Sequence, residues 1–296
     1  VCAVCHTDLH LVEGELPNPV LPMIPGHQIV GKVIEMGANV HRFEVGARVG
    51  IPWLHETCGV CRYCLSGQEN LCENPTFTGY TAQGGYAEYT TVPQDFAVPL
   101  PAGFSNVAAA PLLCAGIVGY RSLRLSDLQP GERLGIYGYG SSGQICLQVA
   151  RYWGCEVYVF TRSEAHQQQA LELGARWAGT AQADAPCKLD RSIIFAPAGW
   201  MVPLALGHLR KGGTLCINAI HMSSIPEMPY NLLWHERTLR TVANATRQDA
   251  QEFMPLAAQI PIHTEVEVFD LDAANEALQA MKHSHTQGTP VLRIRG

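Results

Sequence analysis

Charge is what this sequence has least of. Asp, Glu, Lys and Arg make up only 16% of its 296 residues, against 47% apolar. The 26 acidic residues outnumber the 20 basic ones, for a formal charge of -6. A general polyanion binder carries a basic stripe, and this chain has none, so no nucleic-acid partner is expected. No apolar run reaches the roughly 18 residues of a membrane span, and no secretory leader is visible. Internal repeats and low-complexity tracts are also lacking, which excludes solenoids and linker proteins. What remains is a soluble, cytoplasmic, two-domain globular chain with ample core. It opens at Val1 rather than Met, already inside a dense motif, so preceding residues are expected.

Cysteine runs the other way. There are eleven, and Cys58, Cys61, Cys64 and Cys72 crowd into fifteen residues. In a reducing compartment such a cluster favours metal over disulfides. The spacing C-x2-C-x2-C-x7-C offers four thiolates on a short loop, as a closed tetrahedral zinc site needs, with Gly59 and Gly67 easing the turns. An iron–sulfur cluster or a disulfide pair is the alternative. Four protein ligands leave no open position, so this zinc would be structural. Glu56, Glu69 and Glu73 flank the loop and argue against a phosphate-binding zinc ribbon. Cys146, Cys155 and Cys216 sit in apolar sequence and read as small buried hydrophobes.

Two textures divide the chain. Residues 1–115 are rich in Pro, Gly, Val and Thr, with short apolar runs at 29–34, 48–51 and 86–92, the pattern of an irregular β domain. From 133 a strand–helix alternation begins. Strands are expected at 133–137, 156–160, 191–195 and 213–218, with helices at 142–153, 164–173 and 202–209. That rhythm implies a parallel sheet with crossover helices over 116–244. It ends near 245. The strand 266–269, helix 271–281 and strand 290–294 are expected to rejoin the first domain.

A second constellation opens the chain. Cys5, His6, Thr7, Asp8 and His10 lie within six residues; Gly26-His27 follows, and Cys114 comes after the apolar Pro111-Leu112-Leu113. Two sulfurs and an imidazole from distant segments would leave a fourth zinc position open, as catalytic zinc requires. Taken singly, a histidine or cysteine of this kind is more often a core residue than a ligand.

Together these motifs, in this order and with the glycine motif below, resemble the zinc-containing alcohol dehydrogenases of the medium-chain dehydrogenase/reductase superfamily. The resemblance implies an α/β chain: a Rossmann doubly wound parallel-sheet domain plus a GroES-like, mainly β catalytic domain. It implies catalytic zinc on Cys5, His27 and Cys114, and structural zinc on the four-cysteine lobe, two per chain. Asp8 matches the carboxylate that orients the zinc-bound histidine. Thr7 and His10 match a proton relay, and His6 matches a basic residue near the cofactor pyrophosphate. Family members carry glutamate where this chain has Gln28, an amide oxygen being the weaker donor. Trp53 falls where relatives place an aromatic in the alcohol pocket. Primary alcohols and their aldehydes are the expected substrates, and relatives assemble as homodimers or homotetramers. A zinc-bearing NADP-binding scaffold without turnover and a related medium-chain reductase are the alternatives.

The glycine motif is Gly138-Tyr-Gly140-Ser141-Ser142-Gly143, between an expected strand and helix. Gly138 permits the tight turn, Gly140 the approach of a pyrophosphate, and Gly143 close helix–strand packing. The helix N-terminus favours phosphate charge. An NAD site places a carboxylate at the end of the second strand. Here that strand ends in Thr161, Arg162 and Ser163, which tilts the choice from NAD towards NADP.

Overall fold

A computed structural model describes residues 1–286 and 288–294. The chain divides into two compact units, Val118–Ala243 and the segments on either side of it.

The flanking segments build a six-stranded sheet in the order Val266–Asp270, Thr289–Arg293, Cys2–Ala3, Ile29–Lys32, Arg48–Ile51 and Val98–Pro99. The chain's two ends meet within it: Cys2 lies opposite Leu292 and Ala3 opposite Val291, antiparallel. The helix His6–Val12 leaves the Cys2–Ala3 strand directly. Its Leu9 is buried with Val4 against Ala277, Leu278 and Met281 of the helix Ala274–Lys282. Burying one such leucine stabilises the fold by about 1.5–3 kcal/mol.

The run 86–92, expected as a strand, forms none. The amides of Gly84, Gly85 and Tyr86 donate instead to the carbonyls of Ile24, Gly26 and Pro25, a crossing rather than a ladder. The expected helix 271–281 is shorter: a 3-10 turn, Leu271–Ala273, precedes the α-helix. Glu69, one of the three acids that flank the four-cysteine loop, is 6% exposed.

The central unit is a parallel sheet of Arg133–Tyr137, Glu156–Phe160, Trp177–Gly179, Leu189–Ile194, Leu209–Ile217 and Thr238–Thr241. In chain order these strands lie 3-2-1-4-5-6, the doubly wound Rossmann arrangement. Trp177–Gly179 and Thr238–Thr241 are the two edges; the first is too short, and the second too polar, to show as a strand in the sequence pattern. The core holds Tyr137 and Phe160, stacked at 4.2 Å with their rings nearly parallel. His208 stacks on Phe160 at 5.3 Å, and its Nδ1 lies 2.7 Å from the Tyr137 hydroxyl. No helix among the described residues is long and apolar enough to cross a membrane.

Candidate metal centres and cofactor cradle

The first metal-type cluster forms at the start of the helix His6–Val12. Cys5 is the N-cap, and Asp8, three residues on, returns its Oδ2 to the Cys5 N–H at 2.9 Å. That is half of a capping box. The other oxygen, Oδ1, accepts from the Gly26 N–H at 3.1 Å and lies 2.9 Å from His27 Nδ1. The Tyr86 hydroxyl donates to Oδ2 at 3.2 Å. Asp8 is 1% exposed and His27 1%, so this carboxylate ties two distant segments inside the core. With Nδ1 held, the other ring nitrogen of His27 is left for a metal.

Backbone sterics place His27. Gly26 has φ +99°, and a Cβ there would fall 2.5 Å from the Tyr86 ring and 2.8 Å from the Cys2 sulfur. Cys114 arrives from the far end of the domain on a fully buried 3-10 turn, Ala110–Leu113. Leu113 packs so closely on Gly50 that a Cβ at Gly50 would sit 2.4 Å from its Cδ2. As a result Cys5, His27 and Cys114 bring their donor atoms within 4.8 Å of one another.

The electrostatics of this cluster suit a cation. Burial disfavours the imidazolium, yet Asp8 and Cys5 carry the His27 pKa to about 10. The Cys114 thiol, hydrogen-bonded to Cys5, holds Cys5 well below the ordinary thiol range despite its burial. Gln28, 2% exposed, has an Oε1 with no hydrogen-bond partner among the described residues. A water or an ion beside it would satisfy that buried acceptor.

Thr7 is 6% exposed, its Oγ1 3.8 Å from Cys5 Sγ. His10 is one turn on, partly exposed, and its Nδ1 is hydrogen-bonded to Glu15. His6 is exposed. Trp53 meets His27 edge to face at 4.9 Å. Phe77 and Tyr80, which carry no motif in the sequence, stack on Trp53 at 5.1 and 5.9 Å. The pairing of Leu54–Glu56 with Thr76–Phe77, Leu54 opposite Phe77, assembles this shelf. Only that pairing signals it.

The second cluster is the four-cysteine lobe. Its sulfurs lie 3.5 Å apart for Cys58 and Cys72, 3.6 Å for Cys61 and Cys64, 3.9 Å for Cys58 and Cys64, and 4.0 Å for Cys61 and Cys72. Sulfurs at the corners of a tetrahedron around zinc stand about 3.8 Å apart, given Zn–S of about 2.3 Å. A disulfide needs about 2.05 Å. The lobe fits zinc and not a cystine. Backbone amides point at the sulfurs as well: Cys61 N–H at Cys58, Cys58 N–H and Asn74 N–H at Cys72, each at 3.4 Å. Backbone N–H groups of Cys64 and Glu73 lower the Cys61 thiol to about 6, which stabilises a thiolate there.

In the central unit the glycine motif follows the first strand and opens the helix Ser141–Tyr152, with Gly140 as N-cap. Gly138 has φ +91°, and a Cβ on it would fall 2.7 Å from the Ala196 amide nitrogen. A Cβ on Gly143 would press the Gly138 carbonyl at 2.8 Å, whereas one on Gly140 meets only open space. Two glycines thus serve packing, and the third leaves the backbone bare beside the helix N-terminus. This is where a pyrophosphate fits. At the end of the second strand Thr161 is buried and Arg162 exposed. The Ser163 hydroxyl caps the helix Glu164–Glu172 by accepting from the His166 N–H at 3.3 Å.

Comparison with known proteins agrees with this anatomy. Residues 1–102 match the family description "Alcohol dehydrogenase GroES-like domain", and residues 143–259 match "Zinc-binding dehydrogenase". A probable alcohol dehydrogenase, AdhA, of Mycobacterium tuberculosis is 48% identical over 99% of this chain and 86% of its own length. A cinnamyl alcohol dehydrogenase of Sorghum bicolor superposes with TM-score 0.91 at 28% identity, covering 98% of this chain and 87% of that one. The CAD of Helicobacter pylori, solved with NADP(H), gives 0.89 at 26% identity, over 98% of this chain and 87% of the other. The chain therefore belongs to the zinc-binding alcohol dehydrogenases of the medium-chain dehydrogenase/reductase superfamily.

Proposed function

We propose that this alcohol dehydrogenase interconverts primary alcohols and their aldehydes, prefers NADP to NAD, and carries two zinc ions. The observation that carries the reading is the convergence of Cys5, His27 and Cys114 around an Asp8-oriented imidazole. These three residues would hold the catalytic zinc, and Cys58, Cys61, Cys64 and Cys72 the structural one. When bound, catalytic zinc acts as a Lewis acid that makes an alcohol hydroxyl easier to deprotonate, while the cofactor accepts hydride.

The chain's own groups do the rest. Thr7, buried beside Cys5, takes the hydroxyl proton, and His10, one helical turn on and partly exposed, hands it to solvent. Gly138, Gly140, Ser141, Ser142 and Gly143 cradle the pyrophosphate; His6 is the further basic group assigned to it. Arg162, exposed where an NAD site would place a carboxylate, pairs with the 2′-phosphate. Thr161 and Ser163 flank it. Gln28 contributes a neutral oxygen beside the metal. Trp53, Phe77 and Tyr80 form an aromatic shelf next to His27, which favours aromatic among primary alcohols.

Eleven cysteines without a disulfide among the described residues support a reducing, cytoplasmic setting. The edge strand Thr238–Thr241, with Tyr230 70% and Trp234 54% exposed nearby in sequence, supports a homodimer or homotetramer.

A metal count joined to an NADP and NAD titration tests the proposal. Two zinc ions and tighter NADP binding are expected, with turnover of benzyl alcohol lost in Cys5→Ala while the lobe zinc stays. Full activity in Cys5→Ala with one zinc missing would overturn the assignment. Cofactor and zinc binding without turnover would favour the scaffold reading.

A further inference from the structure

The four-cysteine lobe is tied to the rest of its unit by a buried carboxylate. Glu69 lies on the lobe's 3-10 turn Glu69–Leu71, and its backbone carbonyl accepts from the N–H of Cys72 at 3.0 Å. Its Oε1 accepts from two donors of Arg247, the backbone N–H at 3.0 Å and Nε at 3.1 Å. Arg247 is the first residue of the helix Arg247–Gln259, and its guanidinium lies 4.7 Å over the Phe96 ring. The first amides of a helix have no partner within it, and the dipole favours an anion there, so Glu69 satisfies a donor and a charge at once. Thr246 and Asp249 close the remaining capping box.

The same helix packs against the segment that carries Cys114. Phe253, six residues and about 9 Å along the axis, is fully buried. It abuts Gly116 so tightly that a Cβ there would sit 2.4 Å from Phe253 Cε1 and 2.8 Å from its Cζ. Gly116 is two residues past Cys114, which has Leu113 packed against Gly50 on its other side. Cys114 therefore sits on a short span pinned at both ends, and one pin is the helix whose start Glu69 holds.

We propose that Glu69 is a positioning residue: through Arg247 and the Phe253–Gly116 contact, the four-cysteine lobe sets the placement of Cys114. The proposal rests on reading Cys114 as a ligand of the catalytic metal. Packed interiors pass on small displacements because they leave no slack to absorb them. Losing the Glu69 clamp frees the helix start, and the Cys114 sulfur moves relative to Cys5 and His27 without any ligand being removed.

The test uses the full chain with zinc in the lobe and cobalt at the other site, whose visible band reports ligand geometry. A Cys5→Ser difference spectrum isolates that band. Glu69→Gln keeps the shape of the side chain and weakens the clamp. It should shift the cobalt band, speed amide exchange over residues 112–117, and lower kcat about tenfold with cofactor KM changed less than twofold. The lobe zinc should remain. Phe253→Leu, which loosens the far contact and leaves Glu69 paired, should shift the same band without faster exchange in the lobe. A wild-type cobalt band and wild-type exchange over 112–117 in Glu69→Gln, at any melting temperature, would overturn the proposal alone. A band indifferent to Cys5→Ser would overturn the metal-site reading beneath it.

Discussion

Asp8 grips His27 through Nδ1 at 2.9 Å, in a place where both side chains are 1% exposed. The same carboxylate fixes the Cys5 amide, so one side chain orients two of the three metal-type donors. Asp8→Asn keeps the volume but makes the group a poorer acceptor for an imidazole N–H. Zinc affinity or kcat/KM should fall about 10–100-fold, the usual effect of losing such a partner. Zinc retention during dialysis against a weak chelator, alongside initial rates, reads it. Wild-type values in both would show that Asp8 serves the fold alone.

The lobe should behave as a separable metal site. Cys61→Ser removes a sulfur held 3.6 Å from Cys64 and 4.0 Å from Cys72. One zinc should be lost, with a fall in melting temperature of about 5 °C or more, since structural zinc contributes folding free energy directly. Metal analysis and a thermal melt suffice. Unchanged zinc content would reject the four-thiolate site.

Cofactor choice turns on Arg162, exposed at the end of the second strand of the central sheet. A charged hydrogen bond contributes about 1.5–3 kcal/mol, so Arg162→Ser should raise the NADP KM about tenfold or more and leave that for NAD nearly unchanged. Parallel titrations decide it. An equal effect on both cofactors would place Arg162 elsewhere in the chemistry.

The aromatic shelf predicts selectivity. Trp53 and Phe77 stack at 5.1 Å with a 19° interplanar angle, next to His27. Ring–ring contacts add about 0.5–1.5 kcal/mol beyond area burial. Phe77→Leu should therefore lower the ratio of kcat/KM for benzyl alcohol over hexanol by about 2–10-fold. If the ratio holds while both substrates weaken together, the shelf serves packing only.

Acid should loosen the central unit at His208. Burial lowers its pKa; Lys188 adds to the shift and Asp184 opposes it. Unfolded, the imidazole titrates near about 6.5. Because the folded pKa is the lower one, the unfolded chain binds more protons as pH falls. The stability is fully present above about 6.5 and is lost as pH drops through the folded value. The urea midpoint of the wild type should fall between pH 7.5 and 5, and His208→Gln should flatten that part of the fall. Parallel pH profiles for the two proteins would exclude His208 as the source.

Features whose signal is local can be read directly from the residue order. Four cysteines within fifteen residues mark a metal lobe wherever the loop lies, because the ligands carry their own spacing. The glycine motif is legible for the same reason: strand, turn and helix start are neighbours in the chain, and each glycine answers a local steric demand. The strand–helix rhythm gives a parallel sheet with crossover helices, although the edge strands Trp177–Gly179 and Thr238–Thr241 escape it and the strand order is seen only in the fold.

Tertiary structure decided what depends on distant segments. Tyr86 reads as part of a strand, yet it packs on Gly26 and donates to Asp8. Glu69 reads only as an acid flanking the cysteine loop, and the fold buries it against Arg247, 178 positions away. Phe77 and Tyr80 carry no motif; they join Trp53 only because Leu54–Glu56 pairs with Thr76–Phe77. Cys5, His27 and Cys114 lie on three separate segments, and from sequence only the family resemblance links them. In the fold, the Asp8 carboxylate and the Leu113–Gly50 contact draw them together. Local spacing specifies a site when one loop supplies every ligand; when three segments supply them, packing has to.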